Sequence, residues 1–533
     1  MALLLAQLVS GANAQQVPDA SVLFPQTQSR ITPPPPSPGY MLNGAPLGEQ
    51  AQTAGEKFTL KSARYTGNTV FNTEQLNLVA SGSIGQQVDL ATLQNLSNTL
   101  SNFYRDAGYP FARVYLAPQD IVDGSVAFTV LEGHFGDVFA TLGDQVARQH
   151  NADAQAYISA LKPGDVMHSQ DIERAALIMN DIPGYTAVPI VRPGAKAGAG
   201  DLELRMMQAK RFKGSAGYDN YGSLMTGQNR FRVDAELARN WIFGDVIKLT
   251  GLVTDGKTDL ASVAYGLPLQ ANGLRLELSA LHSAYTLGGT LAPSGFTGKS
   301  DIFGALVTYP TFRSQTVNIT FSGALQQKDY TNDKGQIERY TLHTLPLSMN
   351  FDRRDQFNGG GVTYGVVSAM RAWVTQDNQT TASREPLFDK LNVDIARIQR
   401  LTSSLQGMVK FTGQYTENKI DSTEFISISG PNAVRAYPVG EFSGHSGWTT
   451  QIELSYNVPK TQVSPYVFYD YGTAINTTTT VVRELSARGL GVKYAAEGYS
   501  LDMAVAWPIL GGASQTEDTA AAPRLWANLS LRF

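Results

Sequence analysis

Two stretches of this chain combine residue types and spacing that could do specific chemistry. Gly430-Pro431-Asn432-Ala433-Val434-Arg435-Ala436-Tyr437-Pro438 sits inside a long Gly/Ser-rich segment running from Glu417 to Gly447. Phe468-Tyr469-Asp470-Tyr471-Gly472 follows on a strongly alternating segment. A guanidinium can fork two hydrogen bonds onto a carboxylate, so Arg435 and Asp470 are candidates for an ion pair that joins a loop to a strand. From the residues alone it is one Arg/Asp combination among many. The enzyme signals fail more plainly. Gly298-Lys299-Ser300 resembles the end of a phosphate loop, but the pattern needs glycine where Pro293 stands, and the triplet reads better as a flexible outer loop. His134, His150, His168, His282, His343 and His445 show no metal-ligand spacing, and no G-x-S-x-G elbow occurs. The expectation is a protein without catalytic residues, metal or cofactor.

The bulk properties exclude other classes. A chain of 533 residues predicts about two to four domains. A formal net charge of -4 with both signs interspersed leaves no basic footprint, so nucleic acid is not an expected partner. There is no cysteine, which removes disulfides, thiolate metal sites and cysteine nucleophiles together. Residues Ala2 to Val9 are apolar and Ala12-Asn13-Ala14 precedes Gln15 as a small-x-small cleavage site, so residues 1–14 read as a secretory signal peptide, although no basic residue precedes the apolar run. Residues 15–57 are rich in Pro, Gln, Gly and Ser around Pro33-Pro34-Pro35-Pro36 and read as an extended linker. No later stretch reaches the ~18–20 uninterrupted apolar residues of a membrane helix. If this chain crosses a membrane, it does so with strands.

The elements that must position the two stretches come in two kinds. Residues 58–132 read as β-α-α-β-β: a strand from Phe58 to Tyr65, a short helix from Asn72 to Ala80, a longer one from Asp89 to Ala107, then strands Ala112 to Leu116 and Ser125 to Leu131 across the Asp123-Gly124 turn. Residues 133–209 repeat that order, with a strand from Gly136 to Leu142, helices from Ala152 to Leu161 and from Ser169 to Asn180, the latter capped by Ser169, and strands Val188 to Arg192 and Asp201 to Met207. Tandem modules of one topology argue for a binding arm more than for a catalytic domain. Each small sheet also has an edge, and an edge strand can accept an extended peptide by main-chain pairing.

Beyond Arg211 the period becomes two. Leu274, Leu276, Leu278 and Ala280 alternate with Arg275, Glu277 and Ser279, and Tyr499, Met503, Val505 and Trp507 alternate with Ser500, Asp502 and Ala504. A soluble sandwich alternates too, but runs of roughly 9 to 12 residues are the length a tilted transmembrane strand needs. Sixteen such runs can be placed, near 212–221, 229–239, 245–254, 259–267, 273–282, 300–309, 315–326, 338–351, 361–373, 387–399, 404–416, 448–456, 463–472, 485–495, 499–508 and 523–533. Long connections (283–299, 374–386, 417–447, 509–522) alternate with short turns (268–272, 310–314, 496–498). The expected fold class is therefore a β-barrel membrane protein, a 16-stranded antiparallel barrel over residues 210–533 preceded by two α+β modules. The chain stops on Leu525, Ala527, Leu529, Leu531 and Phe533, all on one face, which reads as the aromatic-terminated strand that outer-membrane assembly machinery recognises.

This organisation resembles the two-partner secretion transporters, the haemolysin activation/secretion protein family of the POTRA-plus-barrel superfamily. The resemblance rests on Gly108-Tyr109-Pro110, Arg113-Val114-Tyr115-Leu116 and Glu132-Gly133 in the first module, and on Ile182-Pro183-Gly184 and Arg192-Pro193-Gly194 in the second. Val434-Arg435-Ala436-Tyr437 matches the family's V-R-G-[YF] loop signature and Phe468-x-Asp470-x-Gly472 its strand signature. Ala436 departs from the family glycine, and no plug helix is evident between Gln15 and Thr32. The resemblance implies a bacterial outer-membrane protein with POTRA domains in the periplasm. It would capture a large, unfolded exoprotein through that exoprotein's N-terminal secretion domain and pass it through the barrel without nucleotide or ion gradient. Outer-membrane lipid and the barrel assembly machinery are the other implied partners. Alternation puts Asp470 on the lumen face with Phe468 and Gly472, so a loop folded inward would bring Arg435 to it; Val434, Arg435, Tyr437, Phe468, Asp470 and Gly472 form the expected loop-barrel lock. A barrel assembly factor and a passive porin or receptor are the alternative functions. Two modules are few for the former, and a porin has no reason to carry them.

Overall fold

In a computed structural model, residues 32–39, 56–143, 149–375, 377–378, 384–517 and 523–533 are described. The signal peptide and most of the Pro-rich linker expected from the sequence lie outside them.

In the first module, Asn72 accepts from the Gln75 N–H at 2.9 Å and the Gln75 side chain accepts from the Asn72 N–H at 3.0 Å, a capping box that starts the helix Thr73–Ala80. Asp89 caps the helix Leu90–Asp106 through the Thr92 N–H, and Leu93, Leu96, Leu100 and Tyr104 of that helix are buried. They pack on a sheet ordered Ser62–Thr66, Ser125–Leu131, Arg113–Leu116, its first pair parallel. Glu132 is 1% exposed and accepts from the N–H groups of Thr69 and Val70 at 2.7 and 2.8 Å and from the Tyr104 hydroxyl at 3.1 Å. A buried carboxylate so partnered pins the loop before the first helix to the end of the module.

The second module repeats the parallel pairing, His134–Leu142 beside Ala199–Gln208, in a sheet ordered Gln149–His150, His134–Leu142, Ala199–Gln208, Tyr185–Pro193. Its helices differ from expectation at two ends. The first is only Ala152–Ala156, because the next turn closes with i to i−3 bonds such as Tyr157 N–H to Ala154 O. The second, Ser169–Asn180, has His168 and not Ser169 at its cap, because the Ser169 N–H donates across to Gly108 O of the first module at 2.9 Å. Gly108 has a φ of 95°, and a Cβ there would lie 2.6 Å from His168 Nε2, so the turn before Tyr109-Pro110 needs glycine to let the modules meet.

From Phe212 the chain forms one closed antiparallel barrel of sixteen strands, consecutive strands pairing and the last returning to the first. In chain order they are β1 (Phe212–Asp219), β2 (Arg230–Ala238), β3 (Val246–Thr254), β4 (Asp259–Pro268), β5 (Arg275–Thr286), β6 (Thr297–Arg313), β7 (Val317–Asp333) and β8 (Ile337–Asp355). They continue as β9 (Gly361–Thr375), β10 (Leu387–Arg400), β11 (Leu405–Tyr415), β12 (Ser446–Tyr456), β13 (Val463–Asn476), β14 (Val481–Ala496), β15 (Tyr499–Leu510) and β16 (Arg524–Arg532). Closure satisfies every strand edge internally, the condition for strands in lipid. Leu278, Phe303, Leu325, Val467, Leu490 and Leu525 are exposed on the outer wall, whereas Tyr466, Asp470, Ala504 and Trp526 are buried toward the lumen. Both barrel ends lie on the rim that carries the modules.

Strands β6 to β8 run 17, 17 and 19 residues, longer than the expected bounds. Gly298-Lys299-Ser300 consequently lies inside β6, paired with Tyr285, Ala284 and Ser283, and not in a flexible loop. The polar pairs that hide these extensions from an apolar pattern, such as Thr331 opposite Arg339, stand at the far-rim ends of the strands. The extension makes the far-rim connection 334–336 a short turn, and 255–258 and 477–480 are short far-rim turns too, so the long and short connections do not alternate strictly.

The arm is fixed to the near rim by its second module. Arg313 at the end of β6 makes a two-point pair with Asp181 at 2.8 and 2.9 Å and reaches Ser37 of the Pro-rich segment at 2.9 Å. Arg174 donates to Pro310 O and Thr311 O, Glu173 accepts from the Gln315 N–H, and the Phe243 ring of the β2–β3 turn packs tilted against that of Tyr185, 4.9 Å between ring centres.

Candidate functional site

The segment between β11 and β12 does not cover the far rim; it folds into the lumen. Ile426 pairs with Gly444 and Ser427 with Ser443, making the segment a narrow hairpin, and its tip is shaped by the N–H groups of Val434, Gly430 and Tyr437 donating to Ile428 O, Tyr437 O and Val434 O. Gly430 at the tip has a φ of 97°, and a Cβ there would meet Val439 Cγ2 at 2.8 Å. Ala436 is absent from the residues with positive φ, so alanine in place of the family glycine costs no backbone strain here.

The tip carries Arg435 to the lumen wall. Its Nε donates to Asp470 Oδ2 at 2.8 Å, its Nη2 to Oδ1 at 2.6 Å, and its backbone N–H to Oδ2 at 3.1 Å. The guanidinium also lies 3.5 Å from the centre of the Phe468 ring. Arg435 is 4% exposed and Asp470 0%, so the pair is closed off from water. Val434 is buried beside Gly472, where a Cβ would stand 3.2 Å from Val434 Cγ2 and 3.0 Å from Thr449 Cγ2; glycine is what allows the tip to lie against β13. The Tyr437 hydroxyl lies 2.8 Å from Leu510 O at the end of β15. All six residues expected at the loop and strand thus meet in one place.

Three further groups complete the site. Glu453 on β12 accepts from Arg435 Nη1 at 2.6 Å and also pairs with Lys493 of β14 at 2.6 Å. Arg435 thus faces two buried carboxylates, and Lys493, whose side chain is 40% exposed, supplies the second positive charge from the solvated side. Trp526 of β16 donates from Nε1 to Arg435 O at 2.6 Å. Each of the three stands on the lumen face of its strand, and that alternation is the signal that could have nominated them. Which lumen residues face the loop depends on how far the hairpin reaches, which the alternation does not encode. Phe533, Leu531 and Leu529 are exposed on the outer wall of β16, away from this cluster, with the Phe533 ring 6.0 Å from that of Phe212. Among the described residues no group of His, Asp and Glu is arranged to hold a metal.

A closed barrel with an apolar outer wall, a polar lumen occupied by a locked loop and a folded arm on one rim defines an outer-membrane barrel transporter of the POTRA-bearing kind. Residues 198–494 match the haemolysin secretion/activation protein ShlB/FhaC/HecB, and residues 58–133 match the ShlB-type POTRA domain. The chain belongs to that family: it is a two-partner secretion transporter of the bacterial outer membrane, with the POTRA arm in the periplasm. The heme/hemopexin transporter protein HuxB of Haemophilus influenzae (strain 86-028NP) is 25% identical over 95% of this chain and 93% of the relative. The outer membrane transporter CdiB of Dickeya dadantii is 23% identical over 87% and 85%. The solved CdiB from Escherichia coli superposes with a TM-score of 0.72 at 17% identity, covering 92% of this chain and 93% of the other, a likeness of fold.

Proposed function

We propose that the protein captures one unfolded, β-rich exoprotein in the periplasm through its arm and secretes it through the barrel, with residues 58–132 and 133–209 acting as two POTRA domains and 210–533 as the pore. The exoprotein's N-terminal secretion segment adds to an open strand edge of the arm, for which Ser62–Thr66 and Arg113–Leu116 in the first sheet and the longer edge strand of the second, Tyr185–Pro193, are available. The lipid-facing Leu529, Leu531 and Phe533 serve the assembly machinery during biogenesis.

The observation that carries this reading is the Arg435–Asp470 pair. A two-point, water-excluded pair selects one loop position among the many a long hairpin could take, and a transporter needs its lumen loop held in a defined place. Losing one partner leaves a buried charge uncompensated, at a cost of roughly 3 to 5 kcal/mol. Arg435→Ala is expected to abolish secretion of the exoprotein while the barrel still inserts, and Arg435→Lys to recover part of it, because lysine supplies charge without the fork. The test is exoprotein in the culture medium beside heat-modifiable barrel in the outer membrane. Full secretion by Arg435→Ala would end the reading.

A further inference from the structure

The lumen hairpin is attached to the wall a second time, on the side opposite Arg435. Ahead of its narrow part, the limb Ile420–Glu424 crosses to β7, β8 and β10. Ile420 is 1% exposed within an apolar cluster that includes Tyr330, Tyr340, Leu342 and Phe388. Asp421 lies 3.0 Å from Arg384 and 3.3 Å from the Tyr340 hydroxyl, and the Arg384 guanidinium sits 4.0 Å over the Tyr340 ring. Glu424 is paired twice, with Lys328 of β7 at 2.6 Å and Lys390 of β10 at 2.8 Å, all three side chains under a tenth exposed. Its main-chain oxygen accepts from Gln414 of β11 and from Lys390, both at 2.9 Å.

These partners stand toward the outer ends of their strands, whereas the tip lock engages β12, β13, β14 and β16. Between hairpin and wall, beside β9 to β11, lies a cavity of about 330 Å³ to which Lys390, Gln414 and Phe425 contribute. The limb therefore closes the outer half of the lumen on the β7–β10 side.

We propose that Lys328, Glu424 and Lys390 form a charge latch that holds this half of the pore shut at rest, and that the limb swings off β7–β10 to open the passage while Arg435 stays seated on Asp470 as the fixed point. The proposal rests on the lumen being the exoprotein's route. A latch of this kind suits release: its carboxylate meets two lysine point charges without the forked geometry of the arginine at the tip, so it can be exchanged for water or for passing main chain at a smaller geometric penalty.

Ion conductance of the purified full-length protein in planar bilayers tests the latch without the exoprotein. Glu424→Gln is isosteric but removes the carboxylate that Lys328 and Lys390 share. Lys328→Gln/Glu424→Gln keeps the cluster's net charge and is the variant to use if the single one folds poorly. Both are expected to raise the open-pore fraction at least about tenfold in a barrel that remains heat-modifiable, since loss of a buried partner moves a two-state equilibrium by more than a decade. Lys328→Arg, which keeps the charge, is expected to conduct like the parent. Unchanged conductance in the folded double variant, or equal opening by Lys328→Arg, would overturn the latch. A parent protein that secretes no exoprotein would instead refute the transport reading and leave the conductance result standing.

Discussion

Arg435 leaves little of its bonding capacity unused: its three guanidinium nitrogens donate to Asp470 and Glu453, its face lies on Phe468, and its carbonyl oxygen accepts from Trp526. Arg435 and Asp470 were legible in the sequence because each sits in a short pattern, V-R-x-Y and F-x-D-x-G, and because period two put Asp470 inward. Glu453, Lys493 and Trp526 were not, since they come from three other strands and nothing local marks them as facing the loop. Gly472 shows how tightly the pattern is built. An added methyl would press on Thr449, Ile428 and Val434 at 3.0 to 3.2 Å, and overpacking of that kind costs typically about 1 to 3 kcal/mol. Gly472→Ala is therefore expected to keep the barrel but displace the loop tip and cut secretion severalfold. Parent-like secretion, with the loop as resistant to added protease as in the parent, would show that the tip tolerates the methyl.

At the scale of elements, alternation identified the sixteen strands and their lipid faces, because lipid on one side and lumen on the other make the period strict. It misjudged strand ends where strands leave the apolar band, as in β7 and β8, since polar residues then occupy both faces. It places no element in the loop 417–447, where the structure has a hairpin, because that fold depends on the wall it lies against. The last strand is the element whose end matters most. Phe533 exchanges main-chain hydrogen bonds with Gly214 at 2.9 and 3.0 Å, and its ring covers that glycine. A charge near a bilayer interface costs only about 0 to 1 kcal/mol, and Phe533→Asp keeps the main-chain bonds. Folded barrel in the outer membrane is nevertheless expected to fall several-fold, because the aromatic end would be read during assembly, while the arm folds as before. If the purified variant refolds in detergent with parent-like stability yet accumulates poorly in cells, recognition is the cause; an undiminished amount of heat-modifiable barrel would remove the assembly role.

Across the whole molecule, the arm and the barrel work together only if the arm's exit points at the pore. The second module is set against the near rim by several contacts of unequal worth. Arg313 and Asp181 form a forked pair, but the Asp181 side chain is 45% exposed, so screening leaves that pair at about 1 kcal/mol or less. Arg174 on Pro310 O and Thr311 O, Glu173 on the Gln315 N–H, and Phe243 packed against Tyr185 add contacts that do not depend on Arg313. Asp181→Ala alone is therefore expected to leave secretion within about twofold of the parent. Replacing Glu173, Arg174 and Asp181 together with alanine removes the polar contacts of this helix with the β6–β7 rim. All three lie on or directly after the helix Ser169–Asn180, and none belongs to the module's apolar core, so that core stays intact. The triple variant should secrete at least about tenfold less if arm orientation limits transfer into the pore, with both the barrel and the isolated binding of exoprotein by the arm preserved. Spin-label distances between the second module and the β6–β7 turn, measured in the full-length protein, should broaden in the triple variant and stay narrow in Asp181→Ala. A triple variant with broadened distances and parent-like secretion would show that the arm delivers its cargo without being held to the rim.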